Sequence, residues 1–281
     1  SFLKAALYYA DRITTVSPTY AREITTAAEG GGFEGLLAAR AGELSGILNG
    51  IDEREWDPAT DPHLTAHYGL RSLDGKREAQ RDLRRALGLR ASTSAPLFGV
   101  VSRLAWQKGL DLLVRATPHL LSRGGDLAVL GAGDAGLSAE LAGLAAAHPG
   151  RVAFVDGYDE RLAHRIQAGA DHVVVPSRSE PCGLVQLYAL RYGSPPVVRR
   201  TGGLADTVVD ATPEALAAGR ATGFVFEDAS VEALTRALDR AFDLHAAPDT
   251  LTELRRAGMR SSFGWRHAAA EYAALYRSLL R

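Results

Sequence analysis

The sequence predicts an α/β fold in which helices cover both faces of a parallel β-sheet. From residue 97 onward, short runs rich in β-branched residues alternate with stretches of helical periodicity. The runs are apolar throughout, which is typical of strands buried on both faces. Strands that alternate with helices along the chain form a parallel sheet through right-handed crossovers. We therefore predict a Rossmann-like domain, preceded by the last part of another domain.

The predicted elements follow the chain in a regular order. A strand over 13–17 leads into a short helix over 18–24, which has Pro18 in its first turn. The predicted strands of the main sheet cover 97–101, 127–130, 152–155, 172–175, 196–199 and 224–226. The predicted helices cover 110–121, 137–146, 161–167, 184–192 and 204–209, and a last helix covers 268–279.

These elements predict four segments. Residues 1–52 are interpreted as the carboxyl-terminal remnant of an amino-terminal Rossmann-like domain, and 53–90 as a linker, because Pro58 and Pro62 interrupt its start. Residues 91–262 form the main Rossmann-like domain, and 263–281 form a helix that returns toward the first domain. Because the chain begins with Ser1 inside an amphipathic pattern, we expect it to be a fragment.

Composition excludes several functional classes. The 281 residues carry a formal net charge of −1, so they offer no basic field for nucleic acid and no polybasic patch for a membrane. We find no apolar run near the roughly 20 residues of a bilayer span, and no signal peptide. The sequence therefore predicts a cytoplasmic protein. Its single cysteine excludes an internal disulfide and a thiolate metal cluster.

A loop after the first strand of the main sheet carries two cations. Arg103 and Lys108 lie where the next helix begins, an end that the helix dipole makes unfavourable for positive charge. Their presence indicates a bound anion, which arginine holds through two parallel hydrogen bonds and lysine as a point charge. The alternative is a solvated loop, or an ion pair at the rim of the sheet.

Three later features have structural alternatives. The turn 131–134 resembles a dinucleotide fingerprint but lacks its third glycine and its ribose-binding acid, so we interpret it as a tight strand-to-helix turn. Tyr158 could stack on a base or pack on the following helix. His164 and His172 could titrate or bind metal; we see no second ligand at helical or hairpin spacing, so we interpret both as structural.

The turn 180–184 joins a buried strand to a helix, and it brings a carboxylate beside main-chain donors. Glu180 could bind a ligand or act as a first-turn acid on the helix dipole. Cys182 is the nucleophile candidate, but no His stands at a recognisable position to activate it. Thr201, Gly202 and Gly203 form a similar turn one unit later, where glycines allow close approach to the main chain. Together these turns predict a diphosphate site.

The motifs jointly resemble the bacterial and plant-type glycogen and starch synthases. The matching stretches, in chain order, are 10–18, 46–52, 102–109, 180–184 and 200–208. The resemblance implies the GT-B fold and transfer of glucose from ADP-glucose to the non-reducing end of an α-1,4-glucan, with retention of configuration. It also implies that the first segment faces the acceptor. We expect no metal and no cofactor beyond the donor substrate.

The resemblance implies a role for each matching residue. The catalytic residues would be Arg103 and Lys108, on the diphosphate, and Glu180, on the transferred glucose. The substrate-binding residues would be Asn49 on the acceptor side, Tyr158 against adenine, Cys182 beside the glucose, and Gly183, Leu184, Thr201, Gly202 and Gly203 at the phosphates.

Some family features differ or are absent. Ser179 and Val185 differ from the side chains that we expect beside the motif, and the chain contains no Lys-x-Gly-Gly-Leu turn. We therefore expect this chain to be the donor-binding half of the enzyme and inactive alone. Two alternatives stay open. One is another retaining transferase that uses UDP-glucose, and the other is a non-catalytic module that binds a sugar nucleotide or a glucan.

Overall fold

The computed structural model describes residues 2–92 and 94–280. The strands are β1 (Ile13–Thr15), β2 (Leu44–Gly46), β3 (Leu97–Val101), β4 (Asp126–Gly131), β5 (Val152–Asp156), β6 (His172–Val175), β7 (Pro196–Arg199) and β8 (Phe224–Phe226). The helices are α1 (Phe2–Tyr9), α2 (Pro18–Glu23), α3 (Glu34–Ala39), α4 (Asp74–Ala86), α5 (Leu110–Ser122), α6 (Ala135–Ala147), α7 (Glu160–Gly169), α8 (Val185–Arg191), α9 (Gly202–Thr207), α10 (Pro213–Ala217), α11 (Val231–His245), α12 (Pro248–Arg260) and α13 (Trp265–Leu279).

The described strands form a six-stranded sheet in the order β5-β4-β3-β6-β7-β8 and a separate pair, β1-β2. Every pairing between these strands is parallel. The chain adds strands to one side of β3 and then crosses to add β6, β7 and β8 on the other side. The direction of winding therefore reverses between β3 and β6. In open α/β sheets, ligands bind in the crevice at the carboxyl ends of the strands at such a point.

Alternating side chains of the sheet build two separate cores. Phe98 and Val100 of β3 and Val174 of β6 point to a face covered by α5, α6 and α11. Leu97 of β3 packs on the opposite face with α4 and α7, and Val173 of β6 packs there with α8 and α9. Because both faces are buried, the strands show no alternation of polar and apolar residues.

The structure confirms the predicted α/β fold and its parallel sheet. All six predicted strands of the main sheet are present, and β3, β6, β7 and β8 have the predicted bounds. Helices α1, α3, α4, α10, α11 and α12 lie outside the predicted elements. α4 falls within the predicted linker, yet its Leu83 and Arg84 are buried against the sheet, where Arg84 Nη1 lies 2.7 Å from Asp126 Oδ2. The division into segments otherwise stays a prediction.

Helices α2 and α9 each provide a carboxylate that binds the amino-terminal end of the other helix. Asp206 in α9 accepts hydrogen bonds from the Thr19 N–H and hydroxyl, at 3.0 and 2.6 Å. In return, Glu23 in α2 accepts the Gly202 N–H at 3.0 and 3.1 Å and the Thr201 hydroxyl at 3.2 Å. A carboxylate is favourable at a helix amino terminus because free N–H groups point outward there. These hydrogen bonds attach the first 50 residues to the edge of the main sheet.

The carboxyl-terminal segment also meets the first part of the chain. The Ile51 N–H donates to the Phe263 carbonyl oxygen at 2.8 Å, and Ile51 forms a parallel bridge with Gly264. The main chain of Trp265 lies directly against Gly50. α13 therefore starts beside the stretch that carries Asn49. Among the described helices, none is both long and apolar enough to cross a bilayer.

His172 of β6 is buried inside the larger core. Its ring stacks against Phe98 at 5.3 Å and meets Phe224 edge to face at 5.6 Å. Burial lowers the pKa of His172 from 6.5 to about 3; Asp171 opposes this shift, whereas the charges of His245 and Arg255 add to it. The native protein therefore holds this imidazole neutral at a pH where the unfolded chain would protonate it.

We predict that His172 makes the fold sensitive to acid. Between pH 6.5 and about 3 the unfolded state binds the extra proton, so stability falls as the pH falls, by at most about 1.4 kcal/mol per pH unit. His172→Phe should reduce the loss of unfolding free energy between pH 6 and 4.5 by on the order of 1–2 kcal/mol. Urea denaturation at both pH values measures this, with the exposed His267→Phe as control. An equal loss of unfolding free energy in the unmodified protein and in both variants would contradict the prediction.

Candidate functional site

A cavity of about 200 Å³ lies at the reversal point, between the carboxyl ends of β3 and β6. Five residues predicted for the site line it, namely Arg103, Lys108, Glu180, Gly183 and Leu184. The topology explains this convergence, since the loops that follow neighbouring parallel strands meet at the same edge of the sheet. The predicted anion site and the predicted carboxylate turn therefore form one concave site.

Lys108 and Glu180 form an ion pair across this cavity. The Lys108 ammonium lies 2.9 Å from Glu180 Oε1 and 2.7 Å from Oε2, and the Ser177 hydroxyl donates to Oε2 at 2.9 Å. Both side chains are largely buried, at 15% and 9% exposure. α8 begins only at Val185, so Glu180 is not in its first turn. The carboxylate instead balances a cation that faces the cavity.

Arg103 lines the same cavity but is exposed to solvent. Its guanidinium has no ion pair or side-chain hydrogen bond with any residue that the structure describes. An arginine without a protein partner keeps its full set of N–H donors, which match the oxygens of a phosphate. Arg103 therefore differs from Lys108, whose charge is already balanced by Glu180.

Close main-chain approaches hold the turn that carries Glu180. Gly109 has a φ of +66°, and a Cβ there would overlap the carbonyl oxygen of Pro176. Gly202 has a φ of +42°, and a Cβ there would overlap the carbonyl oxygen of Glu180. Only glycine adopts such conformations without a side-chain penalty. The turns after β3 and β7 thus contact the turn after β6 from both sides.

The donors of the glycine turn at 201–203 are already hydrogen-bonded within the protein. Both donors at its start, the Gly202 N–H and the Thr201 hydroxyl, bind the Glu23 carboxylate. The Gly203 N–H donates to the Glu180 and Pro181 carbonyl oxygens at 3.1 and 3.2 Å. These three residues lie beside the cavity turn without lining the cavity, and their contact with a substrate stays a prediction.

Two other predicted residues lie at the edges of the site. Tyr158 follows β5, lies outside the cavity and is 87% exposed, so its ring is available for stacking. The main chain of Asn49 lies near the Cys182 thiol and lowers its pKa, against the larger effect of burial. The structure thus brings the two matching segments 46–52 and 180–184 together.

Cys182 is buried beneath the site rather than presented to it. Burial raises the pKa of the Cys182 thiol, and the charges of Glu180 and Asp206 raise it further. A thiol with a raised pKa is a poor nucleophile because the thiolate is the reactive form. The absence of covalent chemistry at this residue stays a prediction.

The predicted tight turn after β4 is present. Gly133 forms a parallel bridge with Leu104, and Asp134 Oδ1 accepts the Leu137 N–H at 3.0 Å as the N-cap of α6. Asp134 is therefore committed to helix capping, as expected for a structural turn.

The sequence patterns did not point to several residues around the site. Arg178 forms two hydrogen bonds with Asp111, at 2.6 and 2.7 Å, and its guanidinium lies 4.6 Å from the ring centre of Trp106. Gln186 donates to the carbonyl oxygens of Cys182 and Gly183. Ser177 and Glu23 were missed too, because their partners are distant in sequence or follow a bend that periodicity does not show.

Residues 88–258 match the family described as Glycosyl transferases group 1, and residues 1–39 match the Starch synthase catalytic domain. The chain is 54% identical over 281 residues to a glycogen synthase of Pectobacterium carotovorum subsp. carotovorum, covering 99% of this chain and 59% of that protein. It is 55% identical to a glycogen synthase of Edwardsiella ictaluri, covering 100% and 59%. The chain thus spans less than two thirds of the length of these relatives.

Solved structures agree with these matches. The catalytic domain of starch synthase IV from Arabidopsis thaliana, bound to ADP and acarbose, superposes with a TM-score of 0.94 at 38% identity, covering 99% of this chain and 58% of that chain. A sucrose-phosphate synthase from Thermosynechococcus elongatus superposes with a TM-score of 0.67 at 25% identity, covering 99% and 60%.

The position of Cys182 predicts low reactivity toward alkylating reagents. Because its thiol is buried and its pKa is raised, iodoacetamide at pH 7.5 should react at least about tenfold more slowly with the folded chain than with the chain in guanidinium chloride. The sequence contains one cysteine, so the mass of the product reports this residue alone. Equal rates in the two states would contradict the prediction.

Proposed function

Since this chain belongs to the family of glycosyl transferases group 1, we propose that it is the donor-binding part of a glycogen synthase. The proposed reaction transfers glucose from ADP-glucose to the non-reducing end of an α-1,4-glucan, with retention of the anomeric configuration. Identity above 50% to glycogen synthases over the whole of this chain supports the assignment. We place the protein in the cytoplasm, with the sugar nucleotide and the glucan as its partners.

The observation that carries this proposal is the cavity in which Arg103, Lys108 and Glu180 meet. At the reversal point of the sheet it combines a balanced ammonium, a buried carboxylate and a guanidinium that has no partner in the part of the chain that the structure describes. A nucleotide sugar presents matching groups, since its diphosphate needs cations and its glucose hydroxyls need an acceptor. The cavity has a volume of about 200 Å³, and the charged side chains in its lining match the phosphate groups of such a ligand.

The proposed chemistry depends on how charge changes during the reaction. As the bond between glucose and ADP breaks, negative charge grows on the departing phosphate. Arg103 and Lys108 would stabilise that charge more in the transition state than in the ground state, which lowers the barrier. Glu180 holds the Lys108 ammonium in place beforehand, so little reorganisation is needed. Glu180 would also accept hydrogen bonds from the transferred glucose.

The remaining predicted residues complete the proposed site. The main-chain N–H groups of Gly183 and Leu184 would meet phosphate at the edge of the cavity, and Thr201, Gly202 and Gly203 would support it from the neighbouring turn. The exposed ring of Tyr158 would stack on adenine, and Asn49 would face the acceptor next to Cys182. The starch synthase IV structure bound to ADP and acarbose supports both a nucleotide and a glucan as ligands. We propose no metal or cofactor for this reaction.

We predict that Lys108→Ala lowers kcat at least about tenfold, because the ammonium acts mainly on the departing diphosphate. The measurement is glucan elongation by an enzyme that joins these residues to an amino-terminal domain of the length found in the relatives. The matched control is Arg81→Ala, which removes an exposed cation on α4. A rise in KM with unchanged kcat would indicate ground-state binding and contradict the assigned role.

We predict that this chain alone binds ADP more tightly than UDP and transfers no glucose, since it spans only 59% of the length of the glycogen synthases that it matches. Isothermal titration calorimetry compares the two nucleotides. Tyr158→Ala should weaken ADP binding by roughly 1–3 kcal/mol through loss of stacking. Tighter binding of UDP would favour the alternative transferase, and measurable elongation by this chain would refute the expected inactivity.

A further inference from the structure

A second cluster of possible ligand groups lies outside the cavity lining, and one of its members follows Tyr158 by two residues. It comprises Glu55, from the segment between β2 and α4, and Glu160 and His164 on α7. One ligand atom from each lies within 4.8 Å of the other two. Glu160 and His164 are separated by four residues on one helix, so their side chains lie on the same face. The sequence interpretation of His164 overlooked this spacing.

His164 has a hydrogen-bonding arrangement that is typical of a metal-binding imidazole. Its Nδ1 lies 2.8 Å from Asp61 Oδ2, and the side chain is 1% exposed. Asp61 also binds the hydroxyl of Tyr192, at 2.5 Å, and lies in the buried interior. A carboxylate acceptor places the proton on Nδ1 and leaves Nε2 as a lone pair. Metal-binding histidines in proteins commonly show this arrangement, with the second nitrogen bound to a carboxylate.

The lone pair at Nε2 has no partner. This nitrogen is buried and makes no hydrogen bond within the described residues. Trp56 stacks on the ring with centroids 3.7 Å apart and planes 13° apart, which fixes the ring plane. Stacking occupies a ring face, so Trp56 does not cover the in-plane Nε2 lone pair. A buried, unpaired nitrogen costs free energy unless something fills that position.

The two glutamates supply uncompensated negative charge. Both are exposed, and neither carboxylate forms an ion pair or a side-chain hydrogen bond with any described residue. Their charge reaches Tyr188, which stacks on Trp56 at 3.7 Å. Burial raises the pKa of Tyr188 to about 12, and the charges of Glu55, Tyr158 and Glu160 contribute to the increase. A cation between the carboxylates would relieve their mutual repulsion.

We propose that Glu55, Glu160 and His164 bind a divalent transition-metal ion of the Zn²⁺ type. One imidazole and two carboxylates, with water in the fourth position, suit Zn²⁺ in tetrahedral coordination. Ligand atoms around such an ion lie about 3.4 Å apart for bonds of about 2.0–2.1 Å. The two exposed glutamates therefore need only a small rotation to close the present spacing. The site is independent of the proposed transfer reaction.

The position of the site gives it a structural consequence. Glu55 belongs to the segment that leads away from Asn49, whereas Glu160 follows the Tyr158 loop by two residues. A shared ion would cross-link that segment to the first turn of α7. It would restrain the first turn of α7, which begins two residues after Tyr158, and it would stabilise the folded state that binds it.

The test is calorimetric titration of ZnCl₂ into the EDTA-stripped chain at pH 7. We expect one ion per chain, and we expect Glu55→Gln and Glu160→Gln each to weaken binding at least about tenfold, with a loss of at least about 100-fold in the double variant. Melting curves should show a Zn²⁺-dependent rise in Tm for the unmodified chain but not for the double variant. With Co²⁺, visible absorption bands should appear and be absent from the double variant.

Two controls separate this site from surface histidines. His267 and Glu271 form an exposed pair at the same spacing on α13, 2.6 Å apart, so His267→Gln with Glu271→Gln should leave binding unchanged. His63→Gln should do the same, although its ring centroid lies 4.7 Å from that of His164. Absence of one-to-one binding, or undiminished binding by a folded Glu55→Gln/Glu160→Gln variant, would overturn the proposal. So would loss of binding in either control.

Discussion

The candidate site depends on close contact between main chains at the carboxyl edge of the sheet. The turns after β3 and β7 press against the turn after β6, and no side chain fits at the points of contact near Gly109 and Gly202. Because both glycines have positive φ, the turns adopt this arrangement without strain. This contact fixes the backbone of Glu180, and the position of Glu180 in turn fixes the Lys108 ammonium.

The same edge of the sheet is also the surface to which the first part of the chain attaches. Asp206 caps α2, and Glu23 caps α9, so each helix provides the charge that the other needs at its amino terminus. Glu23 thereby occupies donors immediately beside the turn that holds Glu180. The short helix α2 therefore couples the attachment of the first part of the chain to the geometry of the site.

Sequence reasoning succeeded where a local pattern has a local cause. The buried strands are β-branched and short, so β3, β6, β7 and β8 could be located with their bounds. It failed for α4, which is rich in charged residues and whose buried Arg84 forms an ion pair with Asp126, 42 positions later. Similarly, Glu160 and His164 have helical spacing, but the third ligand group, Glu55, comes from more than 100 residues earlier.

The sequence by itself determined the parallel α/β sheet, the order of its turns, and which residues could contact a diphosphate. These properties follow from periodicity, from glycine and from the choice of charged residues, all of which are local. Only the tertiary structure decided that Lys108 is balanced by Glu180 while Arg103 has no side-chain partner among the described residues, that Cys182 is buried, and that Glu23 occupies the glycine turn at 201–203. Such pairings depend on which strands become neighbours, and strand order is set by packing of the whole sheet rather than by any single segment.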